Sequence, residues 1–235
     1  ARGGGRAVRG GGGDRDGGSA AIGAGVAISL ARHENLAVVP ASLTVTAHDL
    51  VLSATVAVDG ADDTAEVSAT ASSGAAGGVS VAGSVALALV DQQTLAAIRG
   101  TVVLTGGDAS LTAASRVKAT ARALPDGVGV QASGSVGIGV SFALVLLDDT
   151  VTALVDDEVS VTGARDLRLS ASAETTATSE ARMGAKVTGS VAVVPAVAIT
   201  LSNAVTTARV GTASAAPFRV DRDLVIEARV VAAAG

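Results

Sequence analysis

Apolar and polar residues alternate along much of the chain. In Leu167-Arg168-Leu169-Ser170-Ala171-Ser172-Ala173-Glu174 the odd positions are apolar and the even ones polar, the period of a strand with one buried face. Leu43-Thr44-Val45-Thr46-Ala47 and Val159-Ser160-Val161-Thr162 follow the same pattern. Four other stretches are largely apolar on both faces: Gly25-Val26-Ala27-Ile28-Ser29-Leu30, Ser84-Val85-Ala86-Leu87-Ala88-Leu89, Ser141-Phe142-Ala143-Leu144-Val145-Leu146 and Ala196-Val197-Ala198-Ile199-Thr200-Leu201. A strand of that kind needs cover on both sides. Short polar segments at residues 32–35, 91–93, 148–150 and 202–203 come next, and their Asn and Asp predict turns between strands.

The same four stretches open a repeat. Nine residues after the last Leu of each stands an aliphatic residue, at Val39, Ile98, Val155 and Val210. An Asp-x-x-(Leu/Ile)-x-Ala mark then begins at Asp49, Asp108, Asp166 and Asp223, with spacings of 59, 58 and 57 residues. Fixed-order marks at a near-constant period divide the chain into a Gly/Arg-rich tail of a preceding unit (1–17), three units (18–77, 78–133 and 134–188) and a partial fourth (189–235). The array is expected to continue beyond both ends, as an interior fragment or a processed product. The predicted fold is all-β, an elongated β-solenoid (β-helix-like) of tandem repeats of about 57 residues, each covering the apolar surface of the next. The alternative is a chain of small antiparallel β-sandwiches with a hairpin turn at Asp148-Asp149-Thr150.

Composition sharpens this picture. Hydrophobic residues make up 49% of the chain, but Phe occurs twice and Tyr and Trp not at all. Small and β-branched side chains suit thin layers between sheets. The Ala content would favour helix, but 29 Gly and runs of Val, Thr and Ser interrupt every candidate. There is no Cys for a disulfide or a thiolate metal site. The net charge of −5 offers no general attraction to nucleic acid, so no nucleic-acid partner is expected. The longest nearly continuous apolar run, residues 136–147, is too short for a spanning helix, and two Phe cannot build the aromatic girdles of a membrane barrel. No membrane-spanning segment is expected.

The order of alternating strand, polar break, short strand and then Gly163-Ala164-Arg165-Asp166-Leu167-Arg168-Leu169-Ser170-Ala171 resembles the repeat regions of giant bacterial surface proteins of the filamentous-haemagglutinin type. The likeness runs from Gly18 onward and departs in the fourth unit, where residues 213–217 insert and the Gly before Asp223 is missing. What it implies is export to the extracellular space or cell surface, a rod- or fibre-like region, and a role in adhesion or surface structure.

Residues able to do chemistry are thinly spread. His33 and His48 lie 15 residues apart without a Cys or second His at ligand spacing, and they read as solvated turn residues. Ser115-Arg116-Val117-Lys118 imitates a Ser-x-x-Lys nucleophile motif, but it lies in a strand pattern without its partner motifs. Gly127-Val128-Gly129 imitates half a dinucleotide fingerprint with no helix after it. Arg2, Arg6, Arg9 and Arg15 stand in a Gly tract with no aromatics to stack bases. The scattered Thr pairs do not recur in all units, as an ice-binding array would need. No enzyme activity is expected.

The best candidate site is acidic. Asp148, Asp149, Asp156, Asp157 and Glu158 flank one strand, and Asp59, Asp62 and Asp63 crowd a loop. Calcium takes several carboxylate and carbonyl oxygens together, so the first set is the candidate calcium site, weighed against solvated turns. No other cofactor is expected. Asp49, Asp108, Asp166 and Asp223 are expected to cap turns through Asx hydrogen bonds. The expected function is a structural rod or fibre segment of a large secreted or cell-surface protein. Its partners are neighbouring repeats and identical chains in a fibre; an adhesin module binding a protein or surface ligand is the alternative.

Overall fold

The computed structural model describes residues 3–4, 7–8, 20–56, 64–189, 191–211 and 217–235. Their strands are β1 (Gly3–Gly4), β2 (Ala7–Val8), β3 (Ala20–Val39), β4 (Thr44–Ala47), β5 (Leu50–Thr55), β6 (Ala65–Ile98), β7 (Thr101–Leu104) and β8 (Ala109–Val155). There follow β9 (Val161–Ala164), β10 (Leu167–Ala181), β11 (Ala185–Val187), β12 (Val191–Val193), β13 (Ala196–Val210), β14 (Phe218–Val220) and β15 (Leu224–Ala234). The all-β class is the one expected, and no helix occurs among the described residues.

The architecture differs from the expected elongated solenoid of tandem repeats. The strands form one 11-stranded, mostly parallel sheet curved into a half-barrel, and a separate four-stranded sheet of β4, β7, β9 and β14. A solenoid of short strands has to break its ladder at every corner. Here β6 and β8 run 34 and 47 residues and stay in the large sheet throughout. Each is bent, so that its first arm faces its second across the interior. The bend of β8 is carried by glycine: Gly127 and Gly129 have φ of 60° and 83°, a left-handed backbone that costs only Gly nothing. The small β6 partners, Ser73, Ala75 and Gly77, follow with a register shift and keep the ladder.

Antiparallel sandwiches are also ruled out as an architecture. Every described pairing is parallel except that of Ala7 and Val8 with Ala27 and Val26. The polar segments expected to be turns lie inside strands. Arg32, Asp91, Asp148 and Asn203 occupy one row across β3, β6, β8 and β13. Asp148-Asp149-Thr150 is therefore no hairpin. A strand accepts such residues without turning when the outward ones stay wet and the inward ones meet other polar groups.

The core follows the alternation. Inside, Ala27, Ala86 and Ala143 share a row and face Val67, Ala69, Ala119 and Ala121 of the other arm in one apolar cluster. Alanine keeps this half thin. The other half is filled by Ile98, Leu111, Leu167, Leu169 and Val155, and Val102, Leu104 and Val161 of the small sheet close it. Between the two clusters run buried polar residues: Gln92, Asp149 and Thr94 on one wall, Ser115 and Thr175 on the other.

Candidate functional site

Parity along β8 separates the two acids at its centre. Asp148 points outward and accepts a hydrogen bond from Asn203 Nδ2 at 3.0 Å. Asp149 points inward and is wholly buried, in register with Gln92 on β6. Burial raises its pKa from 3.8 to about 6; Ser115 on the facing arm pulls it down and the neighbouring Asp148 charge pushes it up. Neither carboxylate oxygen has a well-formed hydrogen-bond partner, and Gln92 Oε1 and Ser115 Oγ are likewise unpartnered. The belt thus concentrates orphan polar atoms within an otherwise apolar interior.

The remaining acids of the candidate calcium set, Asp156, Asp157 and Glu158, sit together at the turn after β8. Asp156 accepts from the Asp157 backbone amide at 2.9 Å and faces Arg99 at 3.6 Å. Asp157 faces Arg209 at 3.8 Å, and Glu158 adopts φ 59°. Seven residues of extended chain put this turn about 23 Å from Asp149. Among the described residues, no three His, Cys, Asp or Glu side chains surround a common point. Asp59, Asp62 and Asp63 lie outside the described residues.

Two of the four repeated aspartates cap, and they do so across the sheet. Asp49 Oδ1 accepts from the Asp108 amide at 2.8 Å, and Asp166 Oδ1 accepts from the Asp223 amide at 3.1 Å. Each carboxylate serves the equivalent turn on the next strand, which the periodic spacing alone did not distinguish from a local Asx bond. Asp108 also binds Arg165 Nη2 at 2.6 Å. His48 Nδ1 lies 3.4 Å from Thr105 Oγ1. His33, expected in a turn, is half-buried within β3, and burial lowers its pKa. Ser115 and Lys118 sit on opposite faces of β8: Ser115 is buried, and Lys118 is exposed with its Nζ 3.0 Å from Glu66.

The most extensive candidate surface came from the doubly apolar stretches. Their outward residues form rows across β3, β6, β8 and β13: Val26, Val85, Phe142, Val197; then Ile28, Leu87, Leu144, Ile199; then Leu30, Leu89, Leu146, Leu201. Ile22, Val81, Ile138 and, on β12, Val193 add a fourth row. No charge interrupts these rows, and Ile22, Ile28 and Leu30 are 79%, 53% and 76% exposed. The outer side of the other arm is polar. There Glu66 pairs Lys118 and Arg116 pairs Glu174 at 3.0 and 2.9 Å. The repeat in the sequence already sets these four stretches in equivalent positions, and the pairing agrees; the cover expected on their outer side is not seen among the described residues.

What the fold defines is an all-β protein whose exposed features are sheet surfaces and edges. The chain matches no family model, no curated protein and no solved structure. Among the described residues, no helix is long and apolar enough to cross a membrane.

Proposed function

We propose that the chain is a non-enzymatic structural segment of a large secreted or cell-surface protein, a rod- or fibre-forming region like those of the filamentous-haemagglutinin type it resembles. The observation that supports this reading is the parallel register that sets Val26, Val85, Phe142 and Val197 in one row and Leu167 beside Leu224, so that each stretch is a template for the next. Among the described residues β13 pairs only with β8, and β15 only with β10. Ser141 donates to Pro195 O and Leu167 to Asp223 O. In a parallel ladder the amides of Ala198, Ala204, Ala228 and Ala232 then point to the open side. Two parallel edges, side by side and rich in Ala and Val, are a template for a further layer of strands, supplied by more of the same chain or by another copy. Growth at such an edge adds length without requiring a pocket or a reactive group.

Negative-stain microscopy of the purified chain tests this. Elongated particles or filaments are the expected outcome, and compact monodisperse globules at every concentration would overturn the reading.

A further inference from the structure

The outer apolar surface of β3, β6, β8 and β13 is a second surface, distinct from the edges. Four strands at about 4.8 Å spacing and nine residues at about 3.3 Å rise give roughly 600 Å². Isolated exposed aliphatics are ordinary, but a continuous charge-free patch of this size marks an interface. Two such surfaces face to face would remove about 1,200 Å² from water, which reaches the range of specific protein interfaces.

We infer that this surface pairs with the same surface of a second copy, forming a two-sheet sandwich. Three observations select that occupant. The rows repeat on a regular lattice, so the surface is complementary to its own copy. Between the Ile22 and Val26 rows, Ala24 and Gly83 are in register and leave a hollow over β3 and β6, which ends at Val140 on β8. The Leu30, Leu89, Leu146 and Leu201 row stands as a ridge beside a groove of about 530 Å³, bordered by Asp91, Asp148 and Asn203. A two-fold axis along the Val26 row keeps all four apolar rows of each copy over those of the other and sets Ile28 and Leu87 over the partner copy's hollow at Ala24 and Gly83. Strands of the two sheets then run antiparallel, and the two polar rows lie at opposite ends.

A lipid surface is the weaker match. The net charge is −5, the rows carry no Lys or Arg, and there is no Tyr or Trp to sit at a headgroup boundary. Lateral pairing goes beyond lengthwise growth at the edges and does not depend on it.

The test is sedimentation velocity and light scattering of the full chain at about 50 μM, where an interface of this area should be occupied. The wild type is expected to show a twofold mass increase over the monomer or a multiple of it. Leu87→Lys and Leu144→Lys should each halve that mass while the far-UV spectrum keeps its β signature. The milder Leu30→Ser and Leu201→Ser serve if either lysine variant misfolds, and should raise the dissociation constant at least tenfold. Thr112→Lys, on the polar outer side, should leave the mass unchanged. A monomeric wild type overturns the inference. So does a dimer that survives the leucine variants but is lost in Ala204→Pro/Ala232→Pro; that result would leave edge growth standing. Co-sedimentation with phosphatidylcholine vesicles, abolished by Leu144→Lys, would overturn it in favour of lipid.

Discussion

Asp149 shows how much a single residue depends on parity. Its neighbour Asp148 points to solvent, while Asp149 enters the belt between two apolar clusters with its carboxylate oxygens unpartnered. Because burial holds its pKa at about 6 against 3.8, the folded chain binds more protons than the unfolded one between those values. Stability from this group is fully present below pH 3.8 and falls as pH rises through about 6. Asp149→Asn should therefore be the more stable protein at pH 7, by on the order of 2 kcal/mol. Urea midpoints of the two proteins should converge as pH is lowered toward 4; equal midpoints at pH 7 would mean that the carboxylate is well solvated. The clustered acids were visible in the sequence, but the inward turn of one of them was not, because alternation has two phases and polar residues do not declare which is inside.

Within the elements, shape and conformation outweigh charge. Arg116 and Glu174 are about half exposed, so Arg116→Ala should cost under about 1 kcal/mol in a denaturant titration. Gly129 has φ 83°, and a Cβ there would run into the Gly184 carbonyl oxygen. Gly129→Ala should accordingly cost about 1–3 kcal/mol, more than the loss of any one surface ion pair. The core should answer asymmetrically. Ala86→Leu forces extra volume into the thin alanine half and should destabilise by about 1–3 kcal/mol, while Leu111→Ala empties the wide half and should cost about 2–5 kcal/mol. A smaller loss for Leu111→Ala than for Arg116→Ala, measured in the same buffer, would contradict the packing described here. Strand identity at Leu167 to Glu174 was readable because one face is apolar and the other polar. The polar segments at residues 32–35 and 91–93 read as turns because Asn and Asp favour them. The sequence does not reveal that the strands run straight through, with outward residues wet and inward ones gathered in a belt that leaves Gln92 Oε1 and the Asp149 oxygens unpartnered.

For the molecule as a whole, nearly every strand partner is remote in sequence: Val26 pairs Val85, Val85 pairs Phe142, and Phe142 pairs Val197. Such pairing needs large loops closed before contacts form, so refolding should be slow, at milliseconds to seconds or longer by stopped-flow fluorescence-free methods such as far-UV circular dichroism. Exposed edges make the same process concentration-sensitive, and Ala204→Pro/Ala232→Pro should raise the soluble yield on refolding. What the sequence by itself determined is the all-β class and the period that brings like residues opposite one another. Both follow from alternation and self-similarity, which are local properties of the chain. Only the tertiary structure decided that β6 and β8 bend without leaving their sheet, that a second small sheet closes one end, and that four apolar strands share one open surface. Those outcomes depend on how far the small residues at a bend let a ladder continue, and on which side each row finds its cover.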